Sequence, residues 1–334
     1  MKNSKGWWVP LTCALLIAGC AQVAVERGSH ESATPVAVSV ATTSAATGAG
    51  EALAERLNAR YEDVRSTCTD GNAAYFCSGV IYRGVIWASP YYFWNNKVDP
   101  NYTGVSFSYL RKDVGIRRSF QDQGYVFGPA DDWARAGAPV LEMYCSFAFD
   151  GYTGAQRGIH GCGAHRGLKD SGPCGEQGIE TVEAFAAHYL SGGSNYVARQ
   201  THQCTFGVDA RAFQLSIHAR KGGLLEEDEW QRYTEQVIGT WPQDIPQKLP
   251  IEALYVFVEG RAPTSASLRQ ARAMQADFFV QAGRLLPILR MTTSLSDPPF
   301  SFHAEDQGTP DDAASRRIAA RKTTGPGTPV TLHD

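Results

Sequence analysis

Six cysteines occupy the middle of the chain: Cys68, Cys77, Cys145, Cys162, Cys174 and Cys204. No other feature of its 334 residues restricts the fold as tightly. Whether they stand as thiols or as bridges depends on the compartment in which the chain matures. Lys2 and Lys5, followed by an apolar stretch from Trp7 to Gly19 broken only by Pro10 and Thr12, form the charged-then-hydrophobic order of an export signal. The stretch is shorter than the about 20 apolar residues a membrane-spanning helix needs. In an exported chain an even number of cysteines reads as three disulfides. Proximity favours Cys68 with Cys77 and Cys162 with Cys174, leaving Cys145 for Cys204 as a staple between distant segments. A zinc site drawn from His160, Cys162, His165, Cys174 and His202 is the competing reading. The oxidising compartment and the lack of a paired C-x-x-C count against it.

The export signal ends in Ile17-Ala18-Gly19-Cys20, which resembles a bacterial lipobox. The expectation is therefore a signal over residues 1–20 and lipidation at Cys20. Ala21 after the cysteine points to transfer onward to the outer membrane, as a lipoprotein held by its lipid anchor alone; an ordinary cleaved signal and a secreted protein is the alternative. Residues 21–50 are dominated by Ala, Val, Ser, Thr and Gly, and read as a disordered tether. Residues 303–334 read as a disordered tail for the same lack of large apolar side chains. Between them, residues 51–302 form a single domain. Its composition is globular, and 31 basic against 34 acidic residues give a formal charge of −3, which offers nothing to nucleic acid.

Within the body, Leu53, Leu57, Tyr61 and Val64 recur at helical spacing and predict a helix over 51–64. Strand patterns follow at 76–87, 104–110, 124–127, 140–149, 205–208 and 251–258, with helical patterns at 181–190, 226–237 and 265–286. Strands and helices do not alternate regularly, so the fold class is α+β. Residues 151–171, rich in glycine and holding Cys162, read as a long disulfide-pinned loop.

The sequence lacks a phosphate-binding G-x-x-x-x-G-K-[ST], an H-E-x-x-H, a G-x-S-x-G and a helix-opening G-x-G-x-x-G. The run Arg111, Lys112, Arg117 and Arg118 beside Asp113 reads as a solvated edge, and His188 and His218 as structural residues without obvious partners. What remains is an ordered trio. Arg83 lies on the first strong strand, within Tyr82-Arg83-Gly84. Ser106 and Ser108 sit at period two, on one face of the next strand. Glu252 is a carboxylate on the otherwise apolar strand Ile251–Val258, a costly placement unless it is paired or used. Pairing of Glu252 with Arg83 would account for both without any chemistry.

The chain resembles the halovibrin family of secreted bacterial proteins, described as ADP-ribosyltransferases. The likeness is carried by Phe76-Cys77-Ser78-Gly79-Val80-Ile81-Tyr82-Arg83-Gly84, Gly104-Val105-Ser106-Phe107-Ser108-Tyr109-Leu110, Gly161-Cys162-Gly163, Ser171-Gly172-Pro173-Cys174, His202-Gln203-Cys204 and the segment from Ile245 to Ala253. The order Arg, Ser-x-Ser, Glu also resembles the arginine–serine–glutamate class of mono-ADP-ribosyltransferases. That resemblance implies a core of two packed antiparallel sheets with flanking helices, a disulfide-pinned insertion, and NAD as substrate in the cleft between the sheets. It casts Arg83, with Gly84 beside it, as a holder of an NAD phosphate or ribose. Ser106 and Ser108 would order the nicotinamide pocket, and Glu252 would stabilise the positive charge that develops as nicotinamide leaves.

The chain departs from the class at two places. Phe107 stands at the centre of a motif that usually reads Ser-Thr-Ser, and Pro250 stands two residues before Glu252, where arginine-modifying members carry a second glutamate. The acceptor therefore stays open between a protein, a small molecule and water, and Glu142 and Asp244 stand as alternative carboxylates. The competing expectation is a non-catalytic surface lipoprotein that binds a ligand or host partner on the same fold. The aromatic cluster Trp87, Tyr91, Tyr92, Phe93 and Trp94 would serve either activity.

Overall fold

The computed structural model describes residues 39–86, 104–116, 118–130, 133, 141–151, 157–221, 233–239, 249–259, 262–294 and 297–308. The lipobox at Cys20, the aromatic cluster at 87–94 and Asp244 lie outside these residues.

Aromatic and branched residues in short alternating runs build eight strands: β1 (Val80–Gly84), β2 (Gly104–Leu110), β3 (Gln123–Phe127), β4 (Met143–Phe147), β5 (Glu235–Gly239), β6 (Ile251–Phe257), β7 (Ile288–Met291) and β8 (Phe300–Phe302). They join in the order β4-β5-β2-β1-β3-β6-β7-β8. The α+β class holds, with a correction to its architecture. The expected pair of antiparallel sheets is a single mixed sheet, because β6 and β7 run parallel across a helical crossover while the other neighbours are antiparallel.

That sheet is nevertheless divided at its centre. β2 pairs with β5 from Gly104 to Phe107 and with β1 only from Ser108 to Leu110. Beyond Tyr82 and Ser108 the ladder between β1 and β2 stops, although both strands continue. Arg83 and Gly84 then pair with β3 alone, opposite Tyr125 and Gly124.

Among the described residues, five α-helices flank the strands: α1 (Ser39–Glu62), α2 (Val182–Ser191), α3 (Tyr196–His202), α4 (Ala210–His218) and α5 (Ser265–Ala282). Side-chain caps start four of them. Thr181, Asn195, Asp209 and Thr264 each accept a main-chain N–H from the first turn of α2 to α5, satisfying donors that a helix start leaves open. α5 ends at Gly283, whose φ of 69° is the left-handed C-cap that favours glycine. It buries Ala271, Met274 and Phe278 at the expected helical spacing. The main core gathers these with both halves of the sheet and with Leu53, Leu57 and Tyr61 of α1. Among the described residues, no helix is long and apolar enough to cross a membrane.

Both boundaries of the folded body move outward. α1 starts at Ser39, inside the expected tether. At the other end Asp306 is buried and bonds Arg290, and the Gly308 N–H donates to Gln275 at 2.8 Å, inside the expected tail. Of the helix expected over 226–237, residues 226–232 lie outside the described residues and 235–237 are strand, the start of β5.

Residues between β4 and β5 form the insertion. It has a core of its own, built from Ala148, Phe149, Ile179, Phe185, Tyr189 and Phe206 around the sulfurs of Cys174 and Cys204. All six cysteines pair, as expected, and Cys68 joins Cys77. The other two bridges differ from the proximity pairing: Cys145 joins Cys162 and Cys174 joins Cys204. The reason is a bridge between Pro173 and Thr205. With the Cys174 N–H donating to the Thr205 carbonyl at 2.8 Å, it sets Cys174 beside Cys204. Because Cys162 and Cys174 both lie in disulfides, neither supplies the thiolate that the zinc reading needed.

Candidate functional site

The site lies where β1 parts from β2. Arg83 is 6% exposed, and its Nη1 donates to the Ser106 carbonyl at 3.1 Å, across the gap the ladder leaves. Its guanidinium carbon also lies 5.7 Å from the centre of the Phe107 ring. Among the described residues no carboxylate pairs with this guanidinium, and its Nε has no hydrogen-bond partner. A buried cation in that state has donors to spare for an anion. The close packing beside it depends on Gly124, where a Cβ would fall onto the Arg83 carbonyl.

Ser106 is the only partly exposed residue of β2. Ser106 and Ser108 share the sheet face from which Glu235 of β5 also projects, since Ser106 pairs with Val237 and the residue two before Val237 points the same way. The Ser106 hydroxyl donates to Glu235 Oε1. Glu235 is 3% exposed, and its Oε2 accepts the Gly151 N–H at 2.5 Å. A buried carboxylate bonded on both oxygens is fixed in position.

Further buried hydroxyls line the same face. The Tyr82 hydroxyl faces Ser108 and Ser119 without meeting either in hydrogen-bond geometry, and burial pushes its pKa up to about 12. Tyr233 donates to Asp150 Oδ2 at 2.9 Å. Its pKa is raised first by burial and then by the negative charges of Asp150 and Glu235, so it stays a neutral donor. Two fully buried arginines hold the surrounding backbone. Arg220 donates to the carbonyls of Ala148 and Tyr233 at 2.8 and 2.9 Å. Arg157 does the same work inside the insertion.

The structure thus brings Arg83 and Ser106 together, with Ser108 and Gly84 adjacent, and leaves Glu252 apart. Glu252 occupies an irregularity in the β3–β6 ladder, where Phe127 pairs with Ile251 and Val126 with Ala253. It is partly exposed, packs over Gly128, and makes no hydrogen bond or ion pair among the described residues. Arg83 is level with Leu254, two strands away. Two strand spacings and two residues put the Arg83 and Glu252 Cα atoms about 12 Å apart. The expected pairing of these two residues is not formed. Glu142 is exposed, and its carbonyl accepts the Gly239 N–H at 2.7 Å.

The expected role of Arg111 changes, whereas His188 and His218, expected as structural residues without obvious partners, prove to have partners. Arg111 is fully buried, not solvated, and forms a two-pronged pair with Asp113 at 2.6 and 3.0 Å. His218 has a partner, the same Asp113, at 3.0 Å. His188 stacks on His202 with ring centres 4.4 Å apart. Comparison with family models, with curated proteins and with solved structures gave no match for this chain.

Proposed function

We propose that this protein cleaves the bond between nicotinamide and ribose in NAD and passes ADP-ribose to water or to another acceptor, with Arg83, Ser106 and Glu235 as the working residues. The observation that carries this reading is Arg83: a buried guanidinium with no carboxylate partner among the described residues, bonded to the backbone of Ser106, whose hydroxyl bonds the buried Glu235 carboxylate. A pyrophosphate would complete Arg83 with charge-assisted bonds. The Ser106 hydroxyl, already bonded to Glu235, would orient that carboxylate beside the nicotinamide ribose.

The chemistry then follows from charge. As the bond from C1′ to the pyridinium nitrogen breaks, nicotinamide leaves with the bonding electrons as a neutral base, and positive charge develops on the ribose. A fixed carboxylate in a site with little water stabilises that charge more than it stabilises the ground state, which lowers the barrier. An acceptor oxygen or nitrogen bonds to C1′ and releases a proton. The role the family resemblance gives to Glu252 passes in this reading to Glu235, which is held by Ser106. Two residues before Glu235 stands Tyr233, not a second glutamate, and its hydroxyl is committed to Asp150. That favours water, or an acceptor other than arginine, as the group that takes ADP-ribose.

Three disulfides are in keeping with export as a lipid-anchored or secreted protein, since such bridges form and persist mainly in an oxidising compartment. The test is nicotinamide release from NAD by the purified oxidised protein, with and without a protein lysate. Release in buffer alone establishes a glycohydrolase, and label carried onto protein establishes a transferase. NAD binding without release would make this a binding protein on the same scaffold.

A further inference from the structure

Ser106 and Gly151, which both donate to Glu235, come from different parts of the chain. Ser106 belongs to the sheet, whereas Gly151 lies in the insertion, just past β4. A glycine is required at that point because a Cβ there would strike the Phe147 ring at 2.7 Å. The peptide is held from its other end by Arg157, whose Nε donates to the Gly151 carbonyl at 2.7 Å. The remaining arms of Arg157 donate to the carbonyls of Ser171 at 3.1 Å, Gln203 at 3.0 Å and Gln200 at 2.5 Å. Its guanidinium carbon lies 4.8 Å from the centre of the Phe147 ring. Gln203 directly precedes Cys204, and Cys162 ties the same loop to Cys145 of β4.

A fully buried arginine is a costly way to join loops that two disulfides already bind. Joining loops is also not all it does, because its Nε arm ends on a peptide whose N–H bonds the Glu235 carboxylate. We propose that Arg157 is a positioning residue of the site: it gathers four carbonyls of the insertion and, through Gly151, aims a main-chain N–H at Glu235. This inference rests on the reading of Glu235 as the working carboxylate. It makes the insertion a functional part of the site, since the Gly151 N–H that bonds the carboxylate comes from it. The charged and ionisable groups that meet at Tyr233, two residues before Glu235, are Asp150 in the insertion, Glu235 itself and Tyr82 on β1.

The experiment measures kcat and KM for nicotinamide release across the pH range, using the full-length oxidised protein and its Arg157→Lys, Arg157→Gln, Gly151→Ala and Glu235→Gln variants. An N–H aimed at a carboxylate favours the ionised form, so withdrawing it makes protonation easier. The expected result for Arg157→Gln and Gly151→Ala is a kcat at least about tenfold lower with KM within about twofold. The acid limb of the kcat profile should move to higher pH by about half a unit or more. Arg157→Lys, which keeps the charge and fewer donors, should fall between these and the parent protein. Loss of folded protein alone would scale kcat at every pH and leave the limb in place.

Hydrogen exchange supplies a second readout: the Gly151 amide should exchange faster in Arg157→Gln while the amides of β1 keep their protection. If Arg157→Gln does not fold, Arg157→Lys carries the test of Arg157, and Gly151→Ala tests only the N–H that Arg157 holds. An unshifted acid limb and unchanged kcat in a folded variant, with Glu235→Gln inactive, overturn this inference and leave the Glu235 reading standing. Full activity in Glu235→Gln, or no turnover by the parent protein, overturns both.

Discussion

Removing the Cys174–Cys204 bridge should cost this protein more than removing either bridge of shorter span. The two cysteines are 30 residues apart. Opening a loop of that length returns about 3.5 kcal/mol of conformational entropy to the unfolded chain. Both sulfurs are buried inside the insertion core, so alanine replacements leave a small void as well, worth about 1 kcal/mol. The Cys68–Cys77 bridge spans only 9 residues, and the same relation gives about 2.5 kcal/mol. The assay is urea unfolding of the oxidised parent protein, the Cys174→Ala/Cys204→Ala variant and the Cys68→Ala/Cys77→Ala variant, followed by circular dichroism. The long-span variant should lose about 4 kcal/mol or more, exceeding the short-span variant by at least about 1 kcal/mol. Because the insertion core is separate from the main core, the loss should show first as early melting of α2 and α3. Equal losses in the two variants would refute both the loop-length argument and the insertion's dependence on this bridge.

Tyr233→Phe removes a hydrogen bond to the Asp150 carboxylate inside a buried cluster and should cost about 2 kcal/mol in the same unfolding assay; a loss below about 0.5 kcal/mol would mean that water takes over the bond. The His188 pKa is lowered by burial and by neighbouring His202, so the folded state resists its protonation. Stability should therefore be full above the ordinary histidine pKa of about 6.5 and fall as pH drops from there toward the lower folded value. Melting temperatures on either side of that window should show the fall, and His188→Gln should flatten it. Gly124→Ala places a methyl group on the Arg83 carbonyl and on Tyr255, so β1 and β3 must separate. It should destabilise by at least about 3 kcal/mol or leave the protein insoluble on expression; a soluble variant with parental stability would contradict the packing at the site.

Arg83 and Ser106 were legible from the sequence because strand alternation and the family resemblance point to the same residues. Glu235 was not. Residues 226–237, opening on Glu226-Glu227-Asp228-Glu229-Trp230, have the charge and spacing of a helix. The usable signal was the pair Val237-Ile238 closed by Gly239, which favours a strand and puts a carboxylate at its start. Glu252 drew attention as the lone charge on an apolar strand. The ladder irregularity and its partial exposure explain how it is tolerated there. The disulfide pairing failed for a similar reason, since neighbours in sequence give no hint of the bridge between Pro173 and Thr205 that aligns Cys174 with Cys204. β7 and β8 run four and three residues, too short to give a periodic signal, and rely on β6 and on each other for pairing.

The most direct test of the central claim sets two carboxylates against each other in one assay. Nicotinamide release from NAD is measured for the oxidised protein and for Glu235→Gln and Glu252→Gln, with circular dichroism confirming that each is folded. The arrangement around Ser106 and Arg83 predicts that Glu235→Gln loses at least about a hundredfold in kcat with NAD binding retained, and that Glu252→Gln stays within about threefold of the parent protein. Loss of turnover in Glu252→Gln with Glu235→Gln fully active would contradict the account.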